Sequence, residues 1–378
     1  MALNTTATDG KDFGEIGRHE NRDMVVIDGS LLEGGGQVLR IAVALSAIRG
    51  KAVKITNIRA GRKKPGLAEQ HLKGLLLVRD MCNGELENAH LGSTEIIFRP
   101  GKITSGTFSS KISTAGSVSL LMQIAVPCAL FAPGPCNFNL RGGTDADMAP
   151  PIDYLKIVTS EVFAHFGAKF ETQVIQRGFF PKGGGEVNVK VENIQTCLKP
   201  ITLTQPGKII SIEGSVNVGG SCPIRVGHEF KQGAESLLLE EFGCKPNISV
   251  ERFNAYCPGS SFLIVGKTST GCIFGSSVIS HRSKSPAQQG EEAVAELIKF
   301  LPGQSCLDSY AQDQIILPMS LAAGTSTVVC GPLTLHTQTA IEIVKQLSSA
   351  KFEVEKTSET LFRITCTGDP PVLATDTQ

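Results

Sequence analysis

MVVIDGSLLEGGGQVLRIAVALSAIRG, Met24–Gly50, is an extended run joined to a helix across three consecutive glycines. The run Met24 to Asp28 is short and rich in β-branched residues, the mark of a strand. From about Glu33 to Ile48 apolar residues recur at Val38, Ile41, Ala42, Leu45 and Ile48, the spacing of one helix face, and Gly50 ends the helix. Outward from this stretch, Val53 to Ile58 reads as a strand and Pro65 opens a second helix through Met81. Strands at Leu86 to Ala89 and Glu95 to Arg99 complete a βαβαββ unit.

The unit recurs. Thr107 to Ile112 is extended, Ser117 to Leu130 helical, Cys136 to Leu140 extended and Pro151 to Phe166 helical, with strands near Phe170 to Ile175 and Glu186 to Val191. The corner IRAG of the first unit is echoed as LRGG in the second. A third copy holds helix Tyr310 to Ala322, strand Ser326 to Cys330, helix Leu335 to Ser348 and strands Phe352 to Lys356 and Phe362 to Cys366. Between the second and third copies, Asn193 to Pro302 breaks the spacing and predicts a separate α/β domain of four strands and two helices. The expected class is therefore α/β (α+β): a large domain of three βαβαββ repeats with a small domain inserted before the third. The expected boundaries are 1–22 a disordered tail, 23–192 repeats 1 and 2, 193–302 the insertion, 303–368 repeat 3 and 369–378 a disordered tail.

At 378 residues and 41% hydrophobic, the chain can bury a large core and has the composition of an ordinary soluble protein. No run of 18 apolar residues exists, and the opening MALNTTATDGKDFGEIGRHE is polar, which argues against a membrane span or a secretory signal. Eleven cysteines scattered through a long chain, without any CxxC pair, point to buried thiols in a reducing compartment rather than disulfides or zinc. Lys plus Arg equals Asp plus Glu at 36 each, so the chain is not one that coats long stretches of nucleic acid; a local basic pocket stays open.

Three clusters carry candidate chemistry. In IDGSLLEGGGQVLR the glycines Gly34, Gly35 and Gly36 open a helix, where backbone N–H groups and the helix dipole favour an anion, and Arg40 lies about two turns further on. Such a corner can equally serve only as a tight turn. Glu33 beside it is a candidate Mg²⁺ ligand or a helix-capping acid. In IRAGRKKPGLAEQH, Arg59 and Arg62 are spaced to clamp one phosphate, with Gln70 and His71 on the helix that follows; the alternative is a solvated basic turn. In GPLTLHTQTAIEIV, His336 sits at a helix start among hydroxyl and amide side chains, where the dipole favours a neutral, nucleophilic imidazole. Spacing alone does not distinguish it from six other histidines.

These segments, with AGSVSLLMQ, LRGGTDADMAPPIDYL, GFFPKGGGEV and DSYAQDQIILPMSLAAG, resemble the RNA 3′-terminal phosphate cyclases over about Met24 to Thr365, in the eukaryotic-type wording HTQTAI. The resemblance implies three βαβαββ repeats with an inserted small domain. It also implies an ATP-dependent ligase that converts an RNA 3′-phosphate to a 2′,3′-cyclic phosphodiester through a histidinyl-AMP and an RNA 3′-pp-5′-A end. By the same likeness His336 is the nucleophile, adenylated on its tele nitrogen, and Glu33 binds Mg²⁺ or Mn²⁺. Gly34, Gly35, Gly36, Arg40, Gln123, Tyr310, Asp313 and Gln314 bind ATP, Tyr310 by stacking on adenine. Arg59, Arg62 and His71 hold the RNA 3′-phosphate. Nuclear residence, in the nucleoplasm, and partnership with RNA 3′-phosphate ends rather than membranes are implied too; oligomeric state is left open. Two other readings stay open: a non-catalytic RNA-processing relative, although the nucleolar relative that works in ribosome maturation lacks the histidine that this chain keeps, and an enolpyruvyl-transferase-like small-molecule enzyme, which also repeats βαβαββ units but gives no reason for His336 in HTQTAI.

Overall fold

The structure, a computed structural model, describes residues 24–243, 246–300 and 305–372. The expected tail 1–22 lies outside these residues. The first unit comprises β1 (Val25–Asp28), α1 (Gly36–Arg49), β2 (Val53–Thr56), α2 (Glu69–Cys82), β3 (Glu85–Glu87) and β4 (Ile96–Arg99). The second comprises β5 (Gly106–Lys111), α3 (Val118–Leu130), β6 (Cys136–Gly142), α4 (Ile152–Tyr154), a π-helical turn (Leu155–Thr159), α5 (Ser160–His165), β7 (Lys169–Gln176) and β8 (Gly185–Glu192). Then come β9 (Thr202–Leu203) and a segment of β10 (Ile209–Gly219), α6 (Ile224–Phe242), β11 (Asn247–Phe253), β12 (Gly259–Thr268), β13 (Ile273–Ile279) and α7 (Pro286–Ile298). The chain closes with α8 (Ser309–Gln314), α9 (Ile316–Leu321), β14 (Thr325–Cys330), α10 (Leu335–Leu347), β15 (Lys351–Lys356) and β16 (Phe362–Thr367).

Three sheets repeat one topology: β1-β2-β4-β3, β5-β6-β8-β7 and β9-β14-β16-β15. In each, the first pair is parallel and the other two are antiparallel. The intervening segment forms its own sheet, β11-β10-β12-β13, covered by α6 and α7, the four strands and two helices expected. The strand order adds a detail that spacing did not carry. Thr202 and Leu203 pair in parallel with Thr327 and Val328, so β9 is the first strand of the third unit. The small sheet and its helices therefore leave the chain after that strand and return at α8, later than residue 193.

Helix starts also differ, for backbone reasons. α1 begins at Gly36 rather than near Glu33, because Leu32 (φ 50°) and Gly34 (φ 60°) are left-handed and cannot join a right-handed helix. Gly66 (φ 79°) and the extended Ala68 delay α2 to Glu69, four residues past Pro65. The run expected from Pro151 to Phe166 is divided by the π turn. Nor does the C-terminal tail loosen at Asp369. Its carboxylate meets Arg49 Nη1 at 2.8 Å and accepts from the Ser349 N–H, while its own N–H donates to the Ser320 carbonyl. Residues 373–378 lie outside the description.

α1 is buried on nearly every side and packs against α2 of its own unit, α3 of the second and α10 of the third. A helix apolar all round belongs at the centre of a fold. This one brings the glycine turn at its N-terminus to the place where the first and third units meet. Most of the cysteines are buried and all described ones are unpaired thiols. Among the described residues no helix is long and apolar enough to cross a membrane.

Candidate active site

Three successive glycines at the head of α1 allow two close approaches. A β-carbon on Gly35 would collide with the Glu33 carboxylate, which folds back over the turn; one on Gly36 would collide with the His71 ring and press on Arg40. Glu33 Oε1 is ion-paired with Arg62, and its backbone N–H donates to Thr339 Oγ1 at 3.3 Å. Glu33 Oε2 is buried without a hydrogen-bond partner. Arg59, left-handed at φ 53°, turns its Nη1 to the Gly66 carbonyl at 2.6 Å. Burial and the neighbouring Arg62 hold its pKa below the usual range, against the pull of Glu33. Three guanidinium groups and one paired carboxylate leave this corner with an excess of positive charge.

The two histidines here are fixed in different states. His71 Nδ1 accepts the Ala68 N–H at 3.2 Å, so the neutral ring carries its proton on Nε2, toward Gly36 and Arg40. Burial, with Arg40, Arg59 and Arg62 around it, pushes its pKa down to about 3. His336 stands at the start of α10, whose cap is Thr334, its hydroxyl accepting the Thr337 N–H. Its Nδ1 lies 3.0 Å from Gln37 Oε1. Gln37 in turn donates from Nε2 to Asp313 Oδ2 at 2.5 Å. An amide whose nitrogen faces a carboxylate presents its oxygen to the imidazole, and an oxygen can only accept. Nδ1 of His336 therefore bears the proton, and Nε2 keeps its lone pair. Burial lowers the His336 pKa, with Arg40 and Arg62 acting in the same sense and Glu33 against them.

Gln37, Arg40, Gln123, Asp313 and Gln314 share a cavity of about 60 Å³ with Leu155 and Thr159 of the π turn and with apolar residues of α3. Thr159 Oγ1 donates to Gln314 Oε1 at 2.8 Å. Burial raises the Asp313 carboxyl to about 7 although Arg40 opposes it, and burial lowers Arg40 to about 10 although Asp313 and Glu33 oppose it. Glu33, Arg40, Arg59, Arg62, His71 and His336 are thus gathered around the glycine turn, and Gln123, Asp313 and Gln314 adjoin it. Tyr310 is placed differently. One turn ahead of Asp313 on α8, it packs edge-on against Tyr154 at 5.2 Å and faces a groove with Asp147, Met148, Ser277 and His281.

Reading the sequence for clusters passed over three side chains that hold this arrangement. Gln37 is one residue past the glycines and three before Arg40, hence on the same helix face, a signal visible in the sequence. Gln312 accepts from the Thr334 N–H (2.8 Å) and the Thr337 hydroxyl (2.7 Å), fixing the turn that leads into His336. Asp308 caps α8 by accepting the Tyr310 and Ala311 N–H groups, and also takes the Tyr154 hydroxyl and the Gly275 N–H of β13.

A cation fits at one point. Glu33 Oε2 is a buried acceptor left over beside a turn suited to phosphate oxygens. Among the described residues no three His, Cys, Asp or Glu side chains are grouped to hold a metal by themselves. Any Mg²⁺ there would keep most of its coordination for water and substrate oxygens.

Comparison with known proteins gives a consistent match. The family model described as RNA 3′-terminal phosphate cyclase covers residues 31–354. The chain is 36% identical to the RNA 3′-terminal phosphate cyclase of Drosophila melanogaster over 350 residues, 91% of this chain and 96% of that one. It is 38% identical to the protein of that name from Hyperthermus butylicus, covering 86% and 91% of the two chains, and 37% identical to the one from Pyrobaculum neutrophilum, covering 88% and 95%.

Proposed function

Because this chain belongs to the RNA 3′-terminal phosphate cyclase family, we propose that it uses ATP to close RNA 3′-phosphate ends into 2′,3′-cyclic phosphodiesters, with His336 as the nucleophile. The observation that carries this reading is the hydrogen-bonded series Asp313, Gln37, His336, which leaves Nε2 of an uncharged imidazole free beside the cationic glycine turn.

His336 Nε2 attacks the α-phosphorus of ATP; a P–N bond forms and the bond to pyrophosphate breaks. Arg40 and the N–H groups of Gly35 and Gly36, that of Gly34 being taken by the Leu31 carbonyl at 2.9 Å, stabilise the charge that builds on the leaving oxygens. Mg²⁺ or Mn²⁺, held in part by Glu33 Oε2, supplies further neutralisation there when bound. Arg59 and Arg62 hold the RNA 3′-phosphate, assisted by the Nε2–H of His71, which donates without adding charge. An oxygen of that phosphate attacks the histidine-bound phosphorus, the P–N bond breaks with its electron pair returning to Nε2, and the imidazole leaves neutral with its proton still on Nδ1. The RNA then ends in 3′-pp-5′-A. Its own 2′-hydroxyl attacks the adjacent phosphorus and expels AMP, an intramolecular displacement favoured by proximity. Gripping one terminal phosphate needs few cations, in keeping with a net charge of zero. Tyr310, Gln123 and Gln314 are assigned to the nucleotide, Tyr310 from the neighbouring groove.

Incubation with α-labelled ATP and Mg²⁺ tests the reading. Acid-labile label on the denatured protein, absent in His336→Ala, is the expected outcome; an unlabelled intact protein overturns it.

A further inference from the structure

Two adjacent phenylalanines in the GFFPKGGGEV segment have opposite fates. Phe179 is 2% exposed and fills the space left by Gly219 and Gly259 of the small domain, where any side chain would run into its ring. Phe180, held in place by that anchor, is 77% exposed, and Tyr256 beside the same loop is 73% exposed. A side chain at Gly184 would strike the Tyr256 ring, so the ring rests on bare backbone. Lys182, two residues after Phe180 in the loop, is exposed as well. Large aromatic surface left in water on an anchored loop marks a surface that meets a partner.

The loop packs toward the anion corner through successive contacts. A β-carbon on Gly183 would lie 2.6 Å from the Thr114 carbonyl and 2.9 Å from the Ala115 α-carbon. One residue on, Gly116 abuts Gln70, whose Oε1 accepts the Ser117 N–H at 3.0 Å. Gln70 precedes His71, which faces Arg40, Arg59 and Arg62. Rings, lysine, hydroxyl-bearing loop and arginine pair thus form one strip: base-stacking surface at one end, phosphate-binding surface at the other.

We propose that this strip carries the single-stranded RNA immediately upstream of the terminal phosphate, its unpaired bases stacking on Phe180 and Tyr256 and its backbone passing Lys182. The proposal rests on the cyclase reading above, which supplies the anchored end. Continuity with that anchor selects the occupant, and stacking on flat rings suits it because every base offers a π-face, so the strip grips without reading sequence.

The test compares binding of fluorescent single-stranded RNAs, a dinucleotide and a hexanucleotide each ending in a 3′-phosphate, to the full chain without ATP. Wild type should bind the hexanucleotide more tightly than the dinucleotide. Phe180→Ala and Tyr256→Ala should each weaken hexanucleotide binding roughly 5- to 100-fold, leave the dinucleotide and self-adenylation unchanged, and be rescued by Phe180→Tyr and Tyr256→Phe. Equal binding of the two lengths, or unchanged hexanucleotide affinity in the alanine variants, overturns the proposal. So does concentration-dependent self-association of the wild type that Phe180→Ala abolishes, since the rings would then face a second copy of the chain. Absence of self-adenylation in the wild type counts against the cyclase reading and is measured separately.

Discussion

His71, from the first unit, and His336, from the third, face one glycine turn with opposite protonation. A backbone N–H points into Nδ1 of His71 and makes its outer nitrogen a donor. A side-chain amide oxygen points at Nδ1 of His336 and makes its outer nitrogen a lone pair. Neither ring hydrogen-bonds a carboxylate; burial and the nearby guanidinium groups push both away from the imidazolium form, against the pull of Glu33 on His336. The residue type is the same; in the proposed mechanism one hydrogen-bond partner decides whether it grips or attacks.

The comparison breaks most visibly at His336 itself. His336→Ala should remove covalent labelling by ATP altogether, whereas His71→Ala should retain it, as read by acid-labile label on denatured protein. Freeing the tautomer should cost less: Gln37→Ala is expected to slow self-adenylation roughly 10- to 100-fold without weakening the binding of RNA 3′-phosphate in the absence of ATP. Arg59→Ala should lower transfer of AMP to RNA ends by a similar factor while self-adenylation persists. Arg62→Ala should reduce both steps, because Arg62 also holds Glu33. Equal loss of both steps in Arg59→Ala would show that the phosphate clamp is misassigned.

Acidity offers a finer probe. Asp313 titrates near 7, and only the ionised form forces Gln37 to turn its oxygen to His336. Self-adenylation should therefore fall as pH drops below about 7, by up to about tenfold per unit, and Asp313→Asn should flatten that limb. Stability gives an independent readout. His71 has a folded pKa of about 3, below its ordinary 6.5, so its neutral form stabilises the fold above 6.5 and that contribution is lost as pH falls toward 3. Urea melts of wild type and His71→Gln should diverge in slope across this window, by at most about 1.4 kcal/mol per pH unit.

Much of the architecture was legible because its signals are local. Alternating and helical periodicities, with glycine and proline punctuation, give the strands and helices of the first two units, of the small domain and, apart from its first strand, of the third unit. Two-residue β9 has no periodicity to show; only its pairing with Thr327 and Val328 reveals it. The first-unit residues of the site were visible as a glycine turn and a basic run, yet their convergence on His336 depends on α10 packing against α1 across nearly 300 positions of sequence. Nothing local records that contact. The place of Gln37 on the Arg40 face is legible in the sequence, but its role is not, since an amide in a helix has no distinctive chemistry until its two partners are known. Phe179 and Phe180 are indistinguishable in sequence, and only the glycines of a different domain determine which one is buried.

The packing of α10 on α1 also sets a schedule for synthesis. A ribosome emitting this chain releases the glycine turn almost 300 residues before His336, and until α10 follows, one apolar flank of α1 stands uncovered. Chains that stop before α10 would thus lack His336 and leave that flank in water, so the proposed nucleophile and the cover of the central helix arrive together.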